Sequence, residues 1–555
     1  MAALMRVVVL CILALGVLAL GREDGRPEVE TQYGKLRGKT LSVKGTDRTV
    51  HAFYGVPFAK PPVGSLRFEA PEPPLAWGST REASDFSPMC LQDHHMMETF
   101  KKTFNVKLTI PPVSEDCLYL NIFTPSDREE ETLSVMVFIH GGGLVMGGAL
   151  MFVGSALSAY ENIVTVSIQY RLGLLGFFSS GDDRAPGNYG LLDQLAALHW
   201  VQENIADFGG DPSSVTILGR SSGAMSVSSM VASSLAKGLF HRAIAESGVV
   251  LAPGFVARFT EEVVFGRDRV ANISGCEVDR VVDCLKAKSE EEMLSLVIST
   301  KSLTLSAVID GVFFPKPVEQ ILADKDVNSV PFLTGVTNQE FGWVLPLSMN
   351  ITGLREGMEK ETVEELLRSV PLPKSFSSAT SRLMDEYISD ETDPAEIRNR
   401  FLDLVGDLVF VIPALRAAKY HRDSSHPTYF YEFQHRPSIF KDSKPDFVKS
   451  DHGDQMCSVM GGPFWEDDIV YKEAFNEEEK LLSKTVMKYW ANFARTGNPN
   501  GPGLVHWPLY DQDEAYMGIN LKQRVAKQLK AEKYEFWTKS LSQMQIPETD
   551  EHIEL

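Results

Sequence analysis

Residues 215–223 constrain the fold of this chain more than any other stretch. Residues 215–218 are mostly β-forming and predict a short buried strand. The sequence Gly-Arg-Ser-Ser-Gly follows and fits the pattern G-x-S-x-G, and the residues after it can continue as a helix. A strand, a tight turn with glycines flanking a serine, and a helix together expose a serine hydroxyl for nucleophilic attack. Ser221 is therefore a candidate nucleophile, with a serine-rich turn as the alternative interpretation.

The segments around this turn predict a mostly parallel sheet. Residues 135–139 form a continuous apolar run, as in a strand buried on both faces, and His140 and three glycines follow directly. Glycines after a buried strand let backbone N–H groups approach a ligand closely, which favours an oxyanion-binding loop over a flexible turn. Residues 190–205 predict an amphipathic helix, and residues 331–336 and 429–433 predict later strands. Alternation of strands and helices is typical of a parallel sheet.

The chain of 555 residues shows no repeat, low-complexity tract or Gly/Ser linker, so we expect one domain over residues 22–551. Residues 29–50 predict a β-meander, and the proline-rich, aromatic residues 51–64 predict an ordered loop. A helix-rich insertion is expected from about residue 359 to residue 420. The net charge of −20 disfavours nucleic-acid binding, because phosphates repel an acidic surface.

Both ends of the chain predict passage through the secretory pathway. Residues 1–21 have a basic residue, an apolar run too short for a comfortable membrane span, and small residues for cleavage, as in a signal peptide. The final four residues, His-Ile-Glu-Leu at 552–555, resemble signals that a retrieval receptor uses to return soluble proteins to the endoplasmic reticulum. We therefore expect a lumenal protein without a membrane span.

The cysteines fit an oxidising compartment. Without the signal peptide five remain, and neighbours in sequence are the favoured pairs: Cys90 with Cys117 and Cys276 with Cys284. Cys457 is left over as a free thiol. Glycosylation sequons begin at the two asparagines Asn272 and Asn350.

A serine hydroxyl needs a histidine base within reach and an acid that orients the base. Among the histidines after Ser221, His452 lies in a loop with glycine and flanking carboxylates, and His435, directly after a strand, is its competitor. For the acid, Glu340 follows a predicted strand, which brings its carboxylate to the edge where parallel strands end. Asp310 is the alternative acid.

The chain resembles the type-B carboxylesterase family, and among its members the mammalian microsomal carboxylesterases, nearest their carboxylesterase 2 branch. The matching stretches span nearly the whole mature chain. They are Phe-Ala-Lys-Pro-Pro at 58–62, Glu-Asp-Cys-Leu-Tyr-Leu-Asn at 115–121, His-Gly-Gly-Gly at 140–143, Tyr-Arg-Leu-Gly at 170–173, Phe-Gly-Gly-Asp-Pro at 208–212, Asn-Gln-Glu-Phe-Gly-Trp at 338–343, Asp-His-Gly-Asp at 451–454, a longer run at 489–499 and the final tetrapeptide.

This resemblance implies the α/β-hydrolase fold: a large, mostly parallel central sheet with helices on both faces and helical insertions. It also implies the same two disulfides, and hydrolysis of small-molecule, xenobiotic or lipid esters through an acyl-enzyme without metal or organic cofactor. A catalytically weak or silent relative that serves as a binding module is the alternative. The implied site consists of a triad, Ser221, Glu340 and His452, and an oxyanion hole formed by the N–H groups of Gly142, Gly143 and Ser222.

The family turn normally reads Gly-Glu-Ser-Ala-Gly, and this chain departs from it twice. Ser222 replaces the alanine but still supplies a backbone N–H. Arg220 replaces the glutamate and reverses the charge beside the nucleophile. Because a fixed positive charge opposes formation of the His452 imidazolium, we expect an active but slow enzyme, unless a nearby carboxylate compensates Arg220.

Overall fold

The computed structural model of the chain describes residues 25–127, 132–257, 260–303, 305–369, 380–466 and 469–544. The predicted signal peptide at 1–21 and the predicted retrieval tail at 552–555 lie outside the described residues. In chain order the strands are β1 (Glu28–Thr31), β2 (Gly34–Arg37), β3 (Lys39–Leu41), β4 (Val50–Pro57), β5 (Arg81–Glu82), β6 (Met89–Cys90), β7 (Val106–Lys107), β8 (Val113–Ser114), β9 (Tyr119–Pro125), β10 (Leu133–Ile139), β11 (Val164–Ile168), β12 (Gly210–Arg220), β13 (Arg242–Glu246), β14 (Phe332–Thr337), β15 (Thr428–Phe433), β16 (Val470–Tyr471), β17 (Ala515–Ile519) and β18 (Arg524–Lys527).

Eleven of these strands form one sheet, in the order β18-β17-β15-β14-β13-β12-β10-β11-β9-β4-β3. Neighbours from β17 to β11 pair in parallel. The pairs at the two ends, β18 with β17 and the series β11-β9-β4-β3, are antiparallel. The predicted mostly parallel central sheet is therefore confirmed.

Helices cover both faces of this sheet. Their bounds are α1 (His94–Thr103), α2 (Ser155–Glu161), α3 (Gly173–Phe177), α4 (Tyr189–Asn204), α5 (Ser222–Ala232), α6 (Thr260–Ser274), α7 (Val281–Lys286), α8 (Glu290–Thr300), α9 (Val318–Ala323), α10 (Val344–Ser348), α11 (Lys360–Ser369), α12 (Thr380–Tyr387), α13 (Pro394–Gly406), α14 (Ile412–Asp423), α15 (Met456–Val459), α16 (Glu477–Thr496) and α17 (Ala531–Met544). A π-helix, Asp407–Val411, connects α13 to α14.

The alternation of side chains along β10 separates two hydrophobic cores. Val135, Val137 and Ile139 pack into one core, which also contains the apolar residues of α4. Met136 and Phe138 point the other way, into a core that α16 covers. Successive side chains of a strand point to opposite faces, so an unbroken apolar run is what a sheet covered on both faces requires.

The first part of the chain differs from the sequence-based expectation in two respects. The predicted loop at residues 51–64 begins with a strand, Val50–Pro57, which pairs with β9 and is largely buried. Its proline lies at the strand end, and Gly55, with a φ of +61°, sits where the pairing register shifts, so neither residue prevents the strand. The expected meander is divided, because β1 and β2 join β5 in a small separate sheet while β3 joins the large one.

Candidate active site

The candidate residues gather at one edge of the sheet. Ser221 directly follows β12, and Glu340 follows β14 by three residues. These strands run parallel with β13 between them, so both residues lie beyond the carboxyl ends of the strands. An isolated parallel bridge joins Gln339 to Asp451 and brings the segment with Glu340 beside the segment with His452.

Ser221 occupies a strained turn between β12 and α5. Its φ of 59° and ψ of −130° are unusual for a residue with a side chain. The backbone N–H of Ser221 donates to the carbonyl oxygen of Glu246 at 2.9 Å, which anchors the turn to the end of β13. A β-carbon at Gly223 would collide with the carbonyl oxygen of Ile139, so the start of α5 lies directly against β10. Only glycine permits this approach, which explains the second glycine of the pattern.

The glycine loop after β10 passes next to Ser221. A β-carbon built on Gly141 would lie 3.0 Å from Cβ of Ser221. Gly142 and Gly143 follow with φ values of +116° and +63°. The Ser222 hydroxyl accepts a hydrogen bond of 3.2 Å from the N–H of Leu144 and thereby ties the loop to the start of α5. The replacement of the family alanine by Ser222 thus adds a contact between the two segments from which the oxyanion-hole candidates come.

His140 holds this loop without adding charge to it. Its ring stacks on Tyr170 with centroids 4.4 Å apart, and the Tyr170 hydroxyl donates to the His140 carbonyl oxygen at 2.8 Å. Burial lowers the pKa of the His140 imidazole to about 4, so the ring is neutral at physiological pH.

The structure joins His452 to Glu340. Nδ1 of His452 lies 2.6 Å from Oε2 of Glu340, and both side chains are buried. The other oxygen, Oε1, accepts from the N–H of Thr337 at 2.6 Å, which fixes the carboxylate against the end of β14. Nε2 of His452 has no hydrogen-bond partner within the described part of the chain. An imidazole held by a carboxylate on one nitrogen and open on the other can accept a proton from a hydroxyl.

The π-helix between α13 and α14 contributes a cover for this histidine. The ring of Phe410 lies 4.6 Å from the His452 ring, centroid to centroid. Gly406, directly before the π-helix, lies against Glu340: a β-carbon there would come 3.6 Å from Cβ of Glu340. The predicted helix-rich insertion therefore supplies part of the wall around Glu340 and His452.

A buried ion cluster supports the histidine loop, and sequence reasoning missed it. Lys444 has no exposed side-chain surface, and its Nζ lies 2.5 Å from Asp454 and 3.2 Å from Asp451. The Asp451 carboxylate also accepts the backbone N–H groups of His452 and of residues 342–344, just after Glu340. The Asp451 carboxylate therefore links the loop of His452 to the loop of Glu340. The two aspartates were visible beside His452, but no local pattern indicates a lysine eight residues upstream.

The competing candidates have structural roles. Nε2 of His435 lies 3.0 Å from Glu479, a residue of the capping box that begins α16. Asp310 accepts the N–H groups of residues 312–314 and the side-chain amide of Asn188. Neither side chain forms a hydrogen bond with the candidates at the sheet edge among the described residues.

The structure contains two disulfides, Cys90–Cys117 and Cys276–Cys284. Among the described residues the remaining cysteine is Cys457, a buried free thiol whose pKa is raised by burial. The two sequon asparagines, Asn272 and Asn350, are exposed.

Comparison with known proteins gives the family. Residues 25–537 match the carboxylesterase family. The chain is 48% identical to the medium-chain fatty acyl-CoA hydrolase precursor of Anas platyrhynchos, over 98% of each chain. It is 47% identical to the liver carboxylesterase of Sus scrofa over 99% of each chain, and 46% identical to the cocaine esterase of Homo sapiens over 98% of this chain and 97% of the relative. The chain therefore belongs to the carboxylesterase family, with its α/β-hydrolase fold, and is a carboxylic ester hydrolase.

Proposed function

We propose that Ser221, His452 and Glu340 form the catalytic triad and that the N–H groups of Gly142, Gly143 and Ser222 form the oxyanion hole. The observation that carries the proposal is the 2.6 Å contact between His452 and Glu340, with the second imidazole nitrogen open, at the sheet edge where Ser221 lies.

In the proposed reaction Nε2 of His452 removes the proton of the Ser221 hydroxyl, and the oxygen attacks the ester carbonyl. Glu340 keeps the imidazole in the required tautomer and stabilises its positive form. The oxyanion hole receives the negative charge of the tetrahedral intermediate. His452 then returns the proton to the leaving alcohol, and water, activated by the same base, releases the acid.

The test compares Ser221→Ala with its neighbour Ser222→Ala. We expect Ser221→Ala to abolish hydrolysis of 4-nitrophenyl hexanoate and labelling by a fluorophosphonate, because neither reagent can form a covalent adduct. Ser222→Ala keeps the backbone N–H and loses only the hydroxyl contact to Leu144, so it should retain activity within about tenfold. Most of the wild-type activity in a folded Ser221→Ala variant would show that the nucleophile is another residue.

We also propose that the substrates are small-molecule, xenobiotic or lipid esters. The name of one relative, a fatty acyl-CoA hydrolase, supports lipid acyl compounds as substrates. The name of another, a cocaine esterase, supports small-molecule esters. Nearness to the carboxylesterase 2 branch stays a prediction, because the identities to differently named relatives are all between 45% and 48%.

We propose the lumen of the endoplasmic reticulum as the location. The signal peptide at 1–21, the tail at 552–555 and two disulfides, which persist in oxidising compartments, support it. A retrieval receptor would bind the tail. Among the described helices, none combines the length and the apolar character needed to span a bilayer.

A further inference from the structure

Arg220, the residue before the candidate nucleophile, is almost completely buried. Only 7% of its surface is exposed. Its guanidinium lies 5.8 Å from the ring centroid of Phe104, but it makes no hydrogen bond or ion pair within the residues that the structure describes. A guanidinium carries five N–H donors and a permanent charge, so a group of this kind without a hydrogen bond to protein can bind an anion that reaches it.

The carboxylates of Glu246, Glu340 and Asp454 act on Arg220 electrostatically, but within the described residues none of them forms a hydrogen bond or an ion pair with it. Glu340 binds His452, and Asp454 binds Lys444. Glu246 accepts from the indole N–H of Trp490 at 2.7 Å and retains one oxygen without a partner. Burial raises the pKa of Glu246 to about 8, and the charge of Arg220 opposes this rise.

The guanidinium lies against the loop that carries His452, and Arg220 directly precedes Ser221 in the chain. One neighbour in the chain is Ser221, and a β-carbon at Gly453, the residue after His452, would collide with Nη1 of Arg220. An anionic group of a bound molecule that reached this place would be close to both the nucleophile and the base.

We propose that Arg220 is an anion-binding subsite of the active site and that the enzyme favours esters carrying a carboxylate, of which half-esters of dicarboxylic acids are the simplest. The proposal rests on the proposed role of Ser221. Planar guanidinium and carboxylate groups can pair through two parallel hydrogen bonds. The glutamate that the family normally has at this position would repel the same group, so Arg220 inverts the charge preference of the site.

Two matched substrates test the proposal: 4-nitrophenyl hexanoate, which is neutral, and mono-4-nitrophenyl adipate, which has the same chain length and a terminal carboxylate. The measured quantity is the ratio of kcat/KM for the adipate to kcat/KM for the hexanoate. Arg220→Gln should lower this ratio about tenfold or more, the loss expected for a hydrogen bond to a charged group. Arg220→Lys keeps the charge but not the forked N–H donors, so its ratio should lie between those of the wild type and Arg220→Gln. Arg220→Glu should lower the ratio furthest. A ratio unchanged within about twofold in Arg220→Gln would overturn the proposal.

A binding measurement separates this proposal from the role of Ser221. Monomethyl adipate, which has one free carboxylate, is titrated into Ser221→Ala and into Ser221→Ala/Arg220→Gln, with the neutral methyl hexanoate as the comparison ligand. We expect the second substitution to weaken binding of monomethyl adipate more than binding of methyl hexanoate. Equal binding in both variants would refute the subsite even if ester hydrolysis by Ser221 is established. Undiminished hydrolysis of mono-4-nitrophenyl adipate by Ser221→Ala, together with Arg220-dependent binding, would refute the proposed nucleophile and leave the subsite supported.

Discussion

Replacing Lys444 by methionine tests whether the buried ion cluster holds the histidine loop in place. Methionine has a similar length but no charge, so Lys444→Met removes the cation while filling most of its space. The carboxylates of Asp451 and Asp454 would then remain buried without it, since both are almost completely inaccessible to solvent.

The expected cost follows from how these carboxylates are bonded. Breaking a buried ion pair by removing one partner costs about 3–5 kcal/mol, because an uncompensated charge stays behind. Asp451 retains four backbone N–H donors, whereas Asp454 retains only the N–H of Asp451. The deficit therefore falls mainly on Asp454, and we expect a loss of about 3 kcal/mol in the free energy of unfolding.

The second expected effect is that the stability loss caused by Lys444→Met changes with pH. Burial raises the pKa of Asp454 to about 6, while the charge of Lys444 opposes this rise. Without Lys444 the pKa rises further, so the folded variant binds a proton over a pH range in which the unfolded chain does not. Stability then falls as the pH rises through this range, and the deficit relative to wild type is larger at pH 8 than at pH 5.5.

Thermal unfolding of both proteins at pH 5.5 and pH 8 measures the two effects. Lys441→Met, at an exposed lysine three residues away, is the matched control and should behave like wild type. The double variant Lys444→Met/Asp454→Asn should recover part of the loss, because one stranded charge is removed with the cation. A Tm equal to that of wild type at pH 8, or a deficit that grows toward pH 5.5, would refute the reasoning.

Two further predictions concern the base and the tail. His452→Ala should reduce kcat/KM for 4-nitrophenyl hexanoate almost as much as loss of the nucleophile, whereas His435→Ala should mainly lower Tm, because its partner caps α16; a larger loss of activity from His435→Ala would exchange their roles. Deleting residues 552–555 should send the protein from the endoplasmic reticulum to the medium, and equal secretion of the full-length and truncated proteins would exclude a retrieval signal.

Features encoded by short stretches could be predicted from the sequence. The strand, turn and helix around Ser221 need only local patterns, and the structure shows β12, a left-handed turn residue and α5 in that order. The unbroken apolar run at 135–139 likewise predicted a strand buried on both faces. The prediction of a loop at residues 51–64 was partly wrong. It gave glycine and proline more weight than the aromatic and β-branched residues of the strand that pairs with β9.

Features that depend on distant contacts could not be predicted from spacing. The sequence left Glu340 and Asp310 as alternatives, and only the folded chain brings Glu340 to His452. Lys444 resembled any surface lysine, because nothing near it in sequence reveals burial between two aspartates. The burial of Arg220 among the carboxylates of Glu246, Glu340 and Asp454 is also a tertiary property, because these residues are distant from it in sequence.

The π-helix at Asp407–Val411 changes the rotational register between α13 and α14. Each residue added to an α-helix rotates everything after it by about 100°, and a wider turn absorbs such a residue locally. Leu404 before the bulge and Leu415 after it pack in the same hydrophobic cluster, while Phe410 leaves that cluster for the core beside the sheet. The position of the Phe410 ring over His452 therefore depends on the number of residues in this turn. An insertion or deletion there would move the ring even if no residue of the site were replaced.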